Sequence, residues 1–160
     1  MLAIAGVVTT TALAGGDKEL RTRLTGFQEV PAVSTDASGK FRAKLRTSSQ
    51  EIEYRLSYAD LTGGVRQAHI HLGQFAVNGG ISVFLCSNLG NGPAGTQACP
   101  PAPATITGTI RPADVVGPAD QGIEPMQFDE LVRAIRAGVT YVNVHSETFP
   151  NGELRGQLSD

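Results

Sequence analysis

Charge is scarce in this chain, and the residue types that carry most catalytic chemistry are scarcer still. Of its 160 residues 18% are Asp, Glu, Lys or Arg, and the formal net charge is -2. A balance so near neutral gives no reason to expect nucleic acid as a partner. There are only two cysteines, Cys86 and Cys99, and only three histidines, His69, His71 and His145. No Gly-x-Ser-x-Gly elbow, phosphate-binding loop or reactive cysteine pair occurs, which removes the usual hydrolase and nucleotide chemistries. Beyond the N-terminus nothing supports membrane attachment, and the apolar stretch there is too short to span a bilayer.

Gly (19) and Pro (9) are plentiful beside an ordinary hydrophobic content of 41%. That composition suits many short strands joined by turns, and the length suits one domain with a sizeable core. Residues 1–14 are uncharged and apolar and finish in Ala12-Leu13-Ala14, the small-x-small form of a signal-peptidase site. The usual positive n-region is missing, so the leader extends upstream or Met1 is not its natural first residue. The expectation is an exported protein with a leader over 1–14 and one domain over 15–160, secreted or periplasmic. The alternative is a frayed strand or tail. Cys86 and Cys99 bracket a Gly/Asn/Pro-rich loop, and in an exported protein they are expected to form a disulfide worth roughly 3 kcal/mol. In a reducing cytosol they would be two unpaired thiols.

Alternation of apolar and polar residues predicts the strands. Leu20 to Val30 is one, broken by Gly26. Ser38 to Thr47 turns Phe41, Ala43 and Leu45 inward and Lys40, Arg42, Lys44 and Arg46 outward. Glu51 to Ala59 follows the same rule, and a turn at Ser48-Ser49 sets Arg46 opposite Glu51 and Lys44 opposite Glu53. The basic row reads as a solvated outer face. Further strands are expected over 65–72, 81–86, 105–110, 139–145 and 153–158. Phe128, Leu131, Val132 and Ile135 recur at helical spacing, with acids early, arginines late and Gly138 at the end, which predicts one late helix capping the fold. Seven or eight short strands with a single helix predict an all-β antiparallel sandwich or flattened barrel.

On the strand over 65–72, Ala68, Ile70 and Leu72 form the apolar face, so His69 and His71 project outward, close enough to share an ion. His145, with Asn143 and Tyr141, projects outward from its own strand and completes a three-nitrogen set if the strands adjoin. Neutral imidazoles suit copper, zinc and iron(II), and three leave a position open. A histidine standing alone is more often a surface or hydrogen-bonding group.

Leu24-Thr25-Gly26-Phe27-Gln28-Glu29-Val30-Pro31, Ala68-His69-Ile70-His71-Leu72-Gly73 and Tyr141-Val142-Asn143-Val144-His145-Ser146, followed by Pro150-Asn151-Gly152-Glu153-Leu154-Arg155-Gly156-Gln157-Leu158, resemble the CHRD domain first described in chordin. The resemblance runs from about Leu20 to Leu158. It implies a Greek-key β-barrel similar to copper/zinc superoxide dismutase, with His69 and His71 matching a copper-binding His-x-His and His145 a late ligand. Three histidines leave none for a bridging imidazolate or a zinc loop, so a bimetallic centre is excluded and a copper-only site stays open.

Copper is the first choice and zinc the runner-up. Loops over 74–80 and 146–152 are expected to limit access to a site at the barrel surface. Asn143 and Arg155 are candidate supporting residues; Arg155 would orient the site or draw an anion toward it, the plainer alternative being an ion pair with Glu29 or Glu153. Three functions follow: an exported copper-binding protein for storage, delivery or redox work, a superoxide dismutase-like enzyme, or a metal-free extracellular assembly module with protein partners.

Overall fold

The computed structural model describes residues 16–158. The expected leader and the first residue of the expected domain lie outside the described residues. Eight strands form one sheet: β1 (Lys18–Thr25), β2 (Ser38–Arg46), β3 (Glu51–Ala59), β4 (Val65–Leu72), β5 (Ile81–Ser87), β6 (Ala104–Ile110), β7 (Thr140–Ser146) and β8 (Leu154–Gln157). Their spatial order is β5-β4-β7-β8-β1-β2-β3-β6, and every pairing is antiparallel. The connections β3→β4 and β5→β6 cross from one side of the sheet to the other, giving the Greek-key pattern. An antiparallel bridge between Val83 on β5 and Val115, just past β6, brings the two edges together. The sheet is thus a nearly closed all-β barrel, as the alternation predicts.

The inward residues are those the period of two selects. Leu20, Leu24, Phe41, Leu45, Ile52 and Leu56 are buried together with Ile70, Leu85, Val142, Val144 and Leu154. At the β2–β3 hairpin Arg46 stands opposite Glu51 and Lys44 opposite Glu53. The ion pairs run differently: Arg46 bonds diagonally to Glu53 at 3.1 Å, and Glu51 takes Arg111 at 2.9 Å. Such exposed pairs are worth at most about 1 kcal/mol, so register rests on the buried face.

The helix α1 (Phe128–Arg136) buries Phe128, Leu131, Val132 and Ile135. It lies beside the β2–β3 turn, where Arg136 donates to Thr47 Oγ1 at 3.0 Å and Asp129 accepts from Gln50 at 3.3 Å. It therefore covers one end of the barrel. The first strand ends at Thr25, earlier than expected, because Gly26–Gln28 forms a 3-10 turn. Gly26 there faces the carbonyl of Val33, 2.4 Å from where a Cβ would sit. Cys86 and Cys99 are disulfide-bonded, with 5.1 Å between their Cα atoms. Asn88 fastens the same loop, bonding Val65 O, Cys99 O and Cys99 N. No helix among the described residues is long and apolar enough to cross a membrane.

Candidate metal centre

Strand parity directs the histidines. Ala68 and Ile70 point into the barrel core, so His69 and His71 stand on the opposite face of β4. Strand β7 pairs with β4 in a register that sets Asn143 opposite His69, Tyr141 opposite His71 and His145 opposite Gln67. His145 thus sits one diagonal step from His69, within side-chain reach. Irregularities in the β4–β5 pairing fall beside His69 and His71, and such bulges commonly re-aim side chains at sites.

One expectation is overturned. The three imidazoles do face outward from the sheet, but they are not at the barrel surface: His69, His71 and His145 are 0%, 7% and 6% exposed. The outer face of this quarter of the barrel is roofed, and every residue of β7 is buried. The two loops expected to limit access form part of the roof. Gly79 O accepts from His71 Nδ1 at 2.9 Å, and Pro150 O accepts from His145 Nδ1 at 3.0 Å. A carbonyl can only accept, so both neutral rings carry their proton on Nδ1 and leave Nε2 unprotonated, with a lone pair to offer.

Those lone pairs converge. One ring nitrogen from each histidine lies within 4.8 Å of the others. His69 Nδ1 and His145 Nε2 are 3.2 Å apart, inside the range of roughly 2.8–3.3 Å that two nitrogens span when each is about 2.0 Å from one ion at square or tetrahedral angles. His71 Nε2 and His69 Nε2 are buried with no hydrogen-bond partner. Orphaned buried polar atoms are uncommon and costly, and a cation accepting the His71 lone pair would remove that cost. The donor set therefore fits a metal ion.

Electrostatics prepare the same set. Burial pushes His71 down to about 4, against the opposing pull of the Gly79 carbonyl, with nearby His145 and Arg155 pushing further down. Burial likewise takes His145 to about 4, opposed by the Pro150 carbonyl and assisted by Arg66. His69 is driven lowest, by burial first and then by its two histidine neighbours. All three are neutral at neutral pH, the state that binds metal without proton competition.

Tyr141 stacks on His71, with ring centroids 4.8 Å apart and planes 4° from parallel. The Arg155 guanidinium lies 3.5 Å from the centre of the same tyrosine ring. Arg155 is 1% exposed and donates to Gln74 O, Val77 O and Asn78 Oδ1 at 3.0, 2.8 and 3.2 Å. It ties the 74–80 loop down over the histidines, and its charge also acts on nearby Glu29.

Asn143 donates to Leu154 O at 3.0 Å and, through a very short contact, to Glu29. Burial raises Glu29 to about 7, against the lowering effects of Arg155, Asn143 and the Val30 backbone. Gly152 permits this packing: its φ is +132°, and a Cβ would meet Asn143 Nδ2 and Glu29 within 2.8 Å. Glu153 is occupied elsewhere, accepting from Thr35 Oγ1 and Thr62 N. A pocket of about 360 Å³ beside the cluster shares Glu29, Pro150 and Gly152 with it.

The alternation singled out Tyr141 only as a member of the outward face, with no role attached. Its function depends on Arg155 and His71 being its spatial neighbours, and strand pairing alone decides that. The carbonyls of Gly79 and Pro150 were beyond sequence reasoning altogether, because backbone groups leave no residue-type signal.

The three stretches that carry the sequence resemblance meet here: the first brings Glu29, the second His69 and His71, the third His145 and Arg155. No curated protein and no solved structure matches the chain. The CHRD domain family model matches residues 20–158, and the chain belongs to the CHRD-domain family.

Proposed function

We propose that this domain is exported and binds one copper ion through His69, His71 and His145, serving in storage, delivery or redox work. The observation that carries the reading is the convergence of three buried, neutral imidazoles, two of them locked by backbone carbonyls with Nε2 unprotonated. Imidazole donors suit copper and zinc, and copper(II) heads the usual affinity order, leaving zinc as the runner-up. Bound copper would supply a one-electron couple. The chain's own groups hold the rings: Gly79 and Pro150 fix two tautomers, Tyr141 stacks on His71, and Arg155 keeps the covering loop in place. The Cys86–Cys99 bond supports export, since disulfides persist in oxidising compartments.

Arg155 favours binding over turnover. A dismutase-like enzyme needs an electrostatic guide for its anionic substrate, and this guanidinium is buried with its donors committed to the loop. A metal-free assembly role leaves the orphaned His71 Nε2 without a physical reason.

Copper(II)-loaded protein should give a type 2 EPR signal at one equivalent, lost in His71→Ala. Equal, weak binding by wild type and variant would remove the metal reading and favour assembly. Dismutation by the loaded protein well above that of free aqueous copper would restore the enzyme reading.

A further inference from the structure

Strand pairing assembles, on three strands that carry no histidine, a group of cations that no part of the metal reading uses. Arg21 on β1 stands opposite Arg42 on β2, which stands opposite Arg55 on β3. One step along, Arg23 stands opposite Lys40 and Lys40 opposite Ser57. All five cations lie on the outer face, exposed, and none of their charged side-chain groups has a hydrogen-bond or ion-pair partner among the described residues. Neighbouring strands are about 4.8 Å apart, so these are like charges set directly across from one another, an arrangement that destabilises a sheet. The acids of this face sit in the next row, where Glu19 and Glu53 flank Lys44. A chain with net charge -2 therefore concentrates unneutralised positive charge at one place. The sequence by itself shows the Lys40–Arg46 alternation as a solvated face; the pairing adds Arg21, Arg23 and Arg55 and separates them from the acids.

The same face is grooved. A cavity of about 550 Å³ is lined by Arg23 and Lys40 together with the hydroxyl-bearing Thr25, Ser38, Ser57 and Thr105. A smaller one of about 280 Å³ continues between Arg21, Arg23, Lys40 and Arg42. We infer that the outer face of β1–β2–β3 is a binding surface for an acidic polysaccharide, with its carboxylate or sulfate groups on the arginine row and its hydroxyls in the Ser/Thr-lined groove. Charge complementarity selects a polyanion. Chemistry of the face then selects among polyanions. The large exposed hydrophobic residues, Phe27, Phe75, Val77, Leu89 and Met126, lie outside these strands, so nothing here inserts into a membrane. The aromatic residues of β2 and β3, Phe41, Tyr54 and Tyr58, are buried, so no base is offered a stacking platform.

The test uses the disulfide-bonded protein, a size-defined heparin fragment and polygalacturonate as probes, and neutral dextran as control. Wild type should bind both acidic glycans, dextran not at all, with affinity falling steeply as salt rises. The triple variant Arg21→Gln/Arg42→Gln/Arg55→Gln should bind at least about tenfold more weakly, with the slope of log K against log salt smaller by roughly two to three. Lys44→Gln, whose side chain stands between acids, should bind nearly as wild type. Thermal unfolding of the triple variant should be unchanged or higher, since repulsion is relieved, which separates lost binding from lost folding. The proposal is overturned if wild type ignores both glycans, or if a correctly folded triple variant binds them equally. It is also overturned if phosphatidylserine vesicles or an oligonucleotide bind the arginine row more tightly than the glycans do.

Discussion

At the scale of single residues, the chemistry rests on groups whose charge has been suppressed or confined. The sign of the resulting pH dependence follows from the histidines. His71 and His145 titrate near 4 in the fold against an ordinary 6.5, so the unfolded chain binds protons between those values that the fold refuses. The contribution of these histidines to the stability of the metal-free protein is therefore complete above about 6.5 and declines as pH falls toward 4. Glu29 acts oppositely: held protonated up to about 7, it removes stability as pH rises from the usual carboxylate range to 7. With His69 also depressed, three histidines outweigh one carboxyl, and urea midpoints should fall on acidification from 6.5 to 4. Copper affinity of the folded protein should stay nearly flat from pH 8 to about 5, because protons do not compete until the folded values are reached. A tenfold loss of affinity between pH 7 and 6 would contradict the neutral, buried state of the rings.

Arg155 belongs to the same scale. Arg155→Met removes a buried cation but strands three acceptors from the 74–80 loop. The cost should be about 2–4 kcal/mol by urea denaturation. Arg155→Lys should recover only part of it, since one ammonium cannot reproduce a planar fork that also stacks on Tyr141. An unchanged midpoint in Arg155→Met would show that the loop does not depend on this anchor.

Among the elements, the 73–80 loop converts a pair of outward histidines into an enclosed set. Gly79 is its tightest point, with a Cβ position only 1.6 Å from Leu72 O. Its carbonyl fixes the His71 tautomer, and its N–H donates to Tyr141 Oη at 3.1 Å. Gly79→Ala should displace the loop, cost about 2 kcal/mol and weaken copper binding roughly tenfold or more, as loss of a ligand's orienting partner usually does. Titration calorimetry with copper(II) gives the affinity. Wild-type affinity in this variant would mean that the loop merely covers the site.

The elements are also where the sequence was most legible. Glu51–Ala59 and Val65–Leu72 begin and end where alternation puts them, because one face of each meets the core and the period of two cannot be hidden. The helix starts at Phe128 as its spacing and acids predict. The hairpin register follows from the short turn after Arg46. What alternation misjudged was exposure. On β7 polar and apolar positions are buried alike, since loops supply a second layer outside the sheet, and a loop's resting place leaves no periodic mark in the strand beneath it.

For the whole molecule, the proposed copper binding would be linked to folding. A ligand present at about a hundred times its Kd stabilises the fold by about 2.7 kcal/mol. Wild-type unfolding should accordingly shift upward with free copper, and His71→Ala should not shift. Scanning calorimetry at several copper concentrations checks this, and a shift shared by both proteins would assign it to binding elsewhere.

The sequence by itself determined the all-β class, the single late helix, the inward face of nearly every strand and the identity of the three histidines, because burial on one side of a strand is written residue by residue. Only the tertiary structure decided that β7 lies beside β4, that carbonyls of Gly79 and Pro150 set which nitrogens carry no proton, and that Arg155, on the outer face of its strand, is buried under a loop. It also decided that Arg21, Arg42 and Arg55 share one row. The physical reason is the same in each case: these relations join segments far apart in the chain, and antiparallel register with loop packing, not local residue pattern, brings them together.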